Sequence, residues 1–141
     1  MKRAGPGNRL PDPMCPLIVL EGGKPILGSS AIGGGLHQRT LQVLSSVLDF
    51  GMDPQVAVEQ PAFLLPAFSS GPGTAQVEKG QFDSKLLAAV RALGQPFKEV
   101  SAGQAAAYRG YWVGVHVEAR GGLRRGVGTR KATLPSVAEG Y

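Results

Sequence analysis

Residues 28–35 read Gly-Ser-Ser-Ala-Ile-Gly-Gly-Gly, and an apolar helical pattern starts directly after them at Leu36. A glycine cluster running into a helix start offers bare backbone N–H groups beside the positive end of the helix dipole. That arrangement suits a negative oxygen: a carboxylate, a phosphate or the oxyanion of an acyl-transfer intermediate. The plainer alternative is a tight turn that lets a helix pack close to a strand. Two nucleotide motifs are excluded. Gly34 and Gly35 stand where a phosphate loop requires Lys and Ser/Thr, and Gln38 stands where a dinucleotide fingerprint requires its last glycine.

The second half of an active site, a nucleophile, is harder to find. Thr40 falls inside the expected helix, and Thr74, Thr129 and Thr133 lie far along the chain. Ser29 and Ser30 adjoin the glycines, yet no His–Asp pair is placed to activate them. Cys15 reads as a small packed side chain, with only Arg9 and Asp12 as charged neighbours in sequence. His37 follows the glycines and is expected to face solvent. With His116 it makes a pair too distant for a recognisable metal motif, so neither metal nor cofactor is expected. In Asp12-Pro13-Met14, Asp12 can hydrogen-bond a substrate amine or simply open an Asx-Pro turn.

The positioning elements follow from periodicity. Two short apolar runs, 17–20 and 25–28, flank Glu21-Gly22-Gly23-Lys24 and predict a hairpin. From 36 to 50 the period is helical, with Leu41, Leu44, Val47 and Leu48 as the expected buried stripe, widened by Val43 and Phe50. Gly51 ends that helix. Asp53 and Pro54 begin a shorter one, and residues 60–74 read as an irregular loop. A strand is expected at 75–79, and a helix capped by Asp83 that ends at Gly94. Strands follow at 97–100 and 111–117, then a basic, irregular end from 126. The layout is mixed α/β, of the α+β kind, without the strict alternation of a doubly wound sheet.

At 141 residues the chain is long enough for one domain with a real core, and 43% apolar content excludes disorder by composition. Gly (21) and Pro (11) are too frequent for a helical bundle. The net charge of +5 is concentrated late, at Arg120, Arg124, Arg125, Arg130 and Lys131. Aromatic residues are scarce there, so a charge-pairing surface is expected rather than a nucleic-acid site. A single cysteine excludes an intrachain disulfide. No apolar run reaches the length of a membrane span, and Gly, Pro and Asn follow Met1-Lys2-Arg3 where an export signal needs an apolar core.

The run from Gly7 to Val19, Gly-Asn-Arg-Leu-Pro-Asp-Pro-Met-Cys-Pro-Leu-Ile-Val, resembles a stretch in the small subunit of the gamma-glutamyltransferases, also called gamma-glutamyltranspeptidases or glutathione hydrolases. That family carries Gly-Lys-Arg-Pro-Leu-Ser-Ser-Met-Ser-Pro-Thr-Ile-Val here. The similarity continues through Gly23-Lys24-Pro25, the glycine cluster and Leu41-Gln42-Val43-Leu44. It is strongest at Val47-Leu48-Asp49-Phe50-Gly51-Met52-Asp53 with Ala57-Val58. Gln60-Pro61-Ala62-Phe63 looks like the family's Ala-Pro-Arg-Phe, and Gly140-Tyr141 like its terminal Gly-Tyr.

The resemblance implies an N-terminal-nucleophile hydrolase with a four-layer αββα fold, autocatalytic cleavage, and a new N-terminal Thr that attacks a gamma-glutamyl amide. Residues 1–141 would be one domain, the C-terminal segment of a small subunit. The partners implied are the upstream part of that subunit, a large subunit and a small gamma-glutamyl-like amide, with no nucleic acid and no membrane. The oxyanion role carries over to Gly33 and Gly34 or to Gly34 and Gly35. The acyl-site wall carries over to Asp12, Pro13 and Met14, with Ser29 and Ser30 as further candidate substrate contacts.

The departures are specific. Asp12 and Pro13 replace the two family serines that hold the gamma-glutamyl α-carboxylate, and arginines are missing after the glycines and at Ala62. The family nucleophile belongs upstream of the matched residues, so the chain alone is expected to be inactive. Two readings stand: part of an enzyme of this kind, or an inactive remnant or binding module that keeps the fold.

Overall fold

The computed structural model describes residues 7, 14–63, 74–106, 109–118, 122 and 124–129. The expected hairpin is present. Strand β1 (Leu17–Glu21) turns through Gly22 and Gly23, both with positive φ, into β2 (Lys24–Ile32). β2 is longer than expected: Gly28-Ser29-Ser30-Ala31-Ile32 continue as strand, and only Gly33–Gly35 form the turn. The cause is a partner strand. β5 (Tyr111–Val117) pairs antiparallel with β2 from Leu27 to Ile32 and satisfies its backbone groups.

A strand the sequence reading missed, β6 (Arg124–Gly128), completes an antiparallel sheet in the order β1-β2-β5-β6. Helix α1 (Leu36–Leu48) and helix α2 (Pro54–Glu59) pack on one face of it. As expected, Asp53 caps α2 by accepting from the Gln55 and Val56 amides, and Gly51 (φ +62°) ends the preceding segment. The core is Leu27, Ala31, Leu36, Val43, Ala57, Val58, Trp112 and Val127.

The stripe buried by α1 overlaps the expected one only in part: Val43, Leu44 and Val47 pack on the core as expected, and Leu41, Leu48 and Phe50 do not. Leu36, Arg39, Thr40 and Val43 are buried, whereas Leu41 is 69% and Phe50 80% exposed. The helix is set by its first turn, where the Gly35–Leu36 peptide lies against Gly110; this turns the Leu36–Thr40–Val43–Val47 side inward. Leu41 then faces a second, smaller unit. There, β3 (Ala75–Glu78) and β4 (Phe97–Val100) pair in parallel around helix α3 (Ser84–Ala92), followed by α4 (Ala102–Ala106). The expected Asp83 cap and Gly94 stop are both present.

Of the late basic residues Arg124 and Arg125 are described, Arg120, Arg130 and Lys131 lie outside the described residues, and Arg125 pairs with acids as expected of a charge-pairing surface. Arg125 contacts both Asp53 (2.6 Å) and Glu118 (3.0 Å), tying β6 to the start of α2. The Gln55 amide adds a two-way bond to the Gly128 backbone. Among the described residues, no helix is long and apolar enough to cross a membrane.

The other face of the sheet carries Ile18, Ile32, Val113 and Val115, all more than 45% exposed, in register with Gly28, Ser30, Gly126 and Gly128. An apolar sheet face of this kind needs a second layer. The chain alone is expected to self-associate through it. Sedimentation velocity should show oligomers that Val113→Lys with Val115→Lys shifts towards monomer; a monomeric parent chain refutes the expectation.

Candidate functional site

The glycine turn sits where β2 stops. Gly33 has φ +101°, a conformation that L side chains rarely adopt, and its carbonyl accepts from the Leu36 amide (3.3 Å). Gly35 is the N-cap of α1 and supplies no side-chain cap; its carbonyl accepts from the Arg39 amide (2.9 Å). Among the described residues, the Gly34 and Gly35 amides have no acceptor. Gly34 is exposed and Gly35 buried. The turn therefore presents uncommitted N–H groups at a helix N-terminus, which is the chemistry an oxyanion requires.

The other candidate residues divide. Met14 pairs with Ile32 across an isolated bridge, and the Cys15 amide bonds to the Ala31 carbonyl, so the strand entry is held beside the glycine turn. Asp12 and Pro13 lie outside the described residues. Ser29 and Ser30 sit within β2 on opposite faces. Ser29 Oγ is buried on the core side without a partner among the described residues, and Ser30 lies in register with Val113 on the outer side. Cys15 is half-buried with a free thiol, and His37 is exposed.

A polar pocket of about 210 Å³ at the same end of the sheet was not foreseen. Its walls include Arg39, Arg109, Glu59, Glu78 and Gln60. Arg109 is ion-paired with Glu78, and Arg39 donates to the Gln60 carbonyl (3.0 Å). Burial, reinforced by the Arg109 guanidinium, pushes Arg39 below the usual arginine range. One signal was available in the sequence: Arg39 occupies an inward position of the apolar period Leu36, Thr40, Val43, Val47.

The sequence profile of gamma-glutamyltranspeptidase matches residues 1–126. The chain belongs to the gamma-glutamyltranspeptidase family. No curated protein matches it. Solved gamma-glutamyltranspeptidases share the fold. One is inhibited by acivicin, and its C-terminus is described as critical in autoprocessing and catalysis; it is 20% identical over 93% of this chain and 66% of that one, with a TM-score of 0.71. A mutant enzyme from Helicobacter pylori is 21% identical over 89% and 64%, with a TM-score of 0.68. The Bacillus anthracis transpeptidase CapD is 18% identical over 88% and 69%, with a TM-score of 0.64. This chain thus spans about two thirds of the length of these relatives, and the shared architecture is a mixed α+β fold.

Proposed function

We propose that these residues form the C-terminal portion of a small subunit in a gamma-glutamyltransferase-like amidohydrolase or acyltransferase. They contribute the oxyanion turn and a wall of the acyl site; the nucleophilic Thr comes from an upstream part of the small subunit, and a large subunit completes the enzyme. The observation that carries this reading is the turn itself, where the Gly34 and Gly35 amides have no acceptor among the described residues at the start of α1. When the Thr hydroxyl attacks the amide carbonyl, the carbonyl oxygen becomes an oxyanion. Donors fixed at that point are each worth about a hundredfold or more in turnover. The proton released by the hydroxyl goes to the nucleophile's own α-amino group and then to the leaving amine.

The acyl group is read from Asp12 and Pro13. A carboxylate where the family has a serine repels an α-carboxylate, and proline donates no hydrogen bond. Two like charges at contact range cost a few kcal/mol at intermediate dielectric, a factor of about a hundred or more in binding. The proposed substrate therefore has a neutral or cationic group in place of the gamma-glutamyl α-carboxylate.

The test is the parent enzyme, expressed with its upstream coding sequence and assayed against glutathione and against neutral and cationic acyl amides, with the 141-residue chain as the inactive baseline. Asp12→Ser with Pro13→Ser should raise the preference for glutathione about a hundredfold. Strong glutathione turnover by the unaltered enzyme, or an unchanged preference in the double variant, refutes the assignment. The same two positions favour the second reading, a fold kept without catalysis, and a parent inactive on every amide would establish it.

A further inference from the structure

The pocket beside the glycine turn is not used by the acyl chemistry above. Arg39 is only 7% exposed, yet no carboxylate among the described residues pairs with it. Among the described residues its guanidinium makes one hydrogen bond, to a neutral carbonyl, that of Gln60, and its buried Nε has no partner. Guanidinium groups are rarely buried without a counter-charge, because desolvation is repaid only by a paired anion.

The surrounding charges define what is missing. Arg109 already has Glu78, and Glu59 accepts from the Gln55 amide. The carboxylates of Glu59 and Glu78 balance two guanidiniums overall, but neither lies within ion-pairing distance of Arg39. Repulsion from Arg109 adds to the unmet demand. The side chain of Arg109 is 45% exposed, which leaves the pocket open to solvent on that side.

We propose that this pocket binds a small carboxylate, held by the buried Arg39 guanidinium with Arg109 at its mouth. A planar carboxylate matches the guanidinium fork. A phosphate dianion fits the site less well, since two glutamates line the same walls. A volume of about 210 Å³ admits a short organic acid and no macromolecule. The Arg109 carbonyl lies 3.7 Å from where a Gly33 Cβ would stand, so the bound acid would sit beside the strand end that supports the glycine turn. The assignment does not depend on the acyl-site reading, and its test needs no turnover.

The probe is ¹³C-labelled acetate, observed by ligand NMR on the full chain at constant ionic strength, with chloride making up the balance. Ligand detection works whatever assembly the chain adopts. Saturable binding with a Kd in the order of millimolar is expected, with inorganic phosphate a weaker competitor than formate. Arg39→Lys keeps a charge but loses the fork and should weaken acetate about tenfold. Arg109→Met should weaken it too, and Arg124→Met, on the exposed strand β6, should not. An acetate signal that never saturates, that is lost equally in Arg124→Met, or that survives both pocket substitutions overturns the proposal. If Arg39→Lys loses its far-UV signature, the contrast between Arg109→Met and Arg124→Met decides alone. Phosphate binding more tightly than acetate overturns the choice of ligand.

Discussion

Trp112→Ala is expected to lower the unfolding free energy by about 4 kcal/mol, enough to leave a domain of this size largely unfolded at moderate temperature. Trp112 has no exposed surface and is the largest fully buried side chain. It projects from β5 between the two helices and the sheet, in one cluster with Leu27, Ala31, Val43 and Val58. The ring lies over Gly114: a Cβ there would stand 2.5 Å from the end of the indole, so backbone forms part of its bed. Truncation to Ala removes the transfer energy of the ring and leaves a cavity that a strand and two helices cannot close together.

Trp112→Phe gives the contrast. The indole Nε1 is buried without a hydrogen-bond partner among the described residues, so replacing it by carbon removes an uncompensated desolvation cost while shrinking the ring. The expected loss is about 1 kcal/mol. Trp112 is the only tryptophan, so urea unfolding followed by far-UV circular dichroism is the measurement. Equal losses for Ala and Phe would mean that the indole hydrogen is bonded and the ring's volume secondary.

The importance of Trp112 shows where sequence reasoning stopped. Local signals were legible: the Gly22-Gly23 turn, the Asp53 and Asp83 caps, and the Gly51 and Gly94 stops all act within a few residues and need no tertiary knowledge. Strand β6 was not legible, because Arg124-Arg125-Gly126-Val127-Gly128 has weak strand propensity and exists through its pairing with β5 and its ties to Asp53 and Gln55. The stripe of α1 was legible only in part, for a related reason. Val43, Leu44 and Val47 pack on the core as expected, but Leu41 and Leu48 do not, because a helix with leucines on two sides is oriented by its contacts, and here its first turn decides. Arg39 was passed over because a charged residue inside an apolar period reads as a boundary of the stripe, whereas in the folded chain it is a member of it.

For the site, the glycine turn was legible as a chemical type because bare amides at a helix start depend only on residues 33–36. Its surroundings were not. The neighbours of the turn come from residues 109–111, more than 70 positions away, and from the Met14 bridge. The family resemblance supplied the role proposed for the turn, and the sheet pairing supplies its support.

That support is the basis of the second large effect, at Gly110. A Cβ built there would stand 2.7 Å from the Gly35 carbonyl carbon, 2.8 Å from the Leu36 nitrogen and 2.9 Å from the Gly35 oxygen. All three are backbone atoms at the N-cap of α1, so no rotamer change can relieve the contact. Gly110→Val should cost about 3 kcal/mol or more, because the helix start must move away from β5 and take the inward side of α1 with it. Gly28→Ala is the matched control. Its Cβ would meet nothing within 4 Å and its φ is ordinary, so a change within about 0.5 kcal/mol is expected. If the turn holds the oxyanion as proposed, the milder Gly110→Ala should lower kcat of the assembled parent enzyme far more than it changes KM, since displaced amides would lose the oxyanion and not the ground-state substrate. Unfolding curves for Gly110→Val that overlay those of the parent would mean the helix and strand do not meet at this peptide. A Gly110→Ala enzyme that unfolds more easily yet keeps full turnover would leave the stability argument standing and remove the glycine turn from catalysis, whereas one as stable as the parent would refute the contact itself.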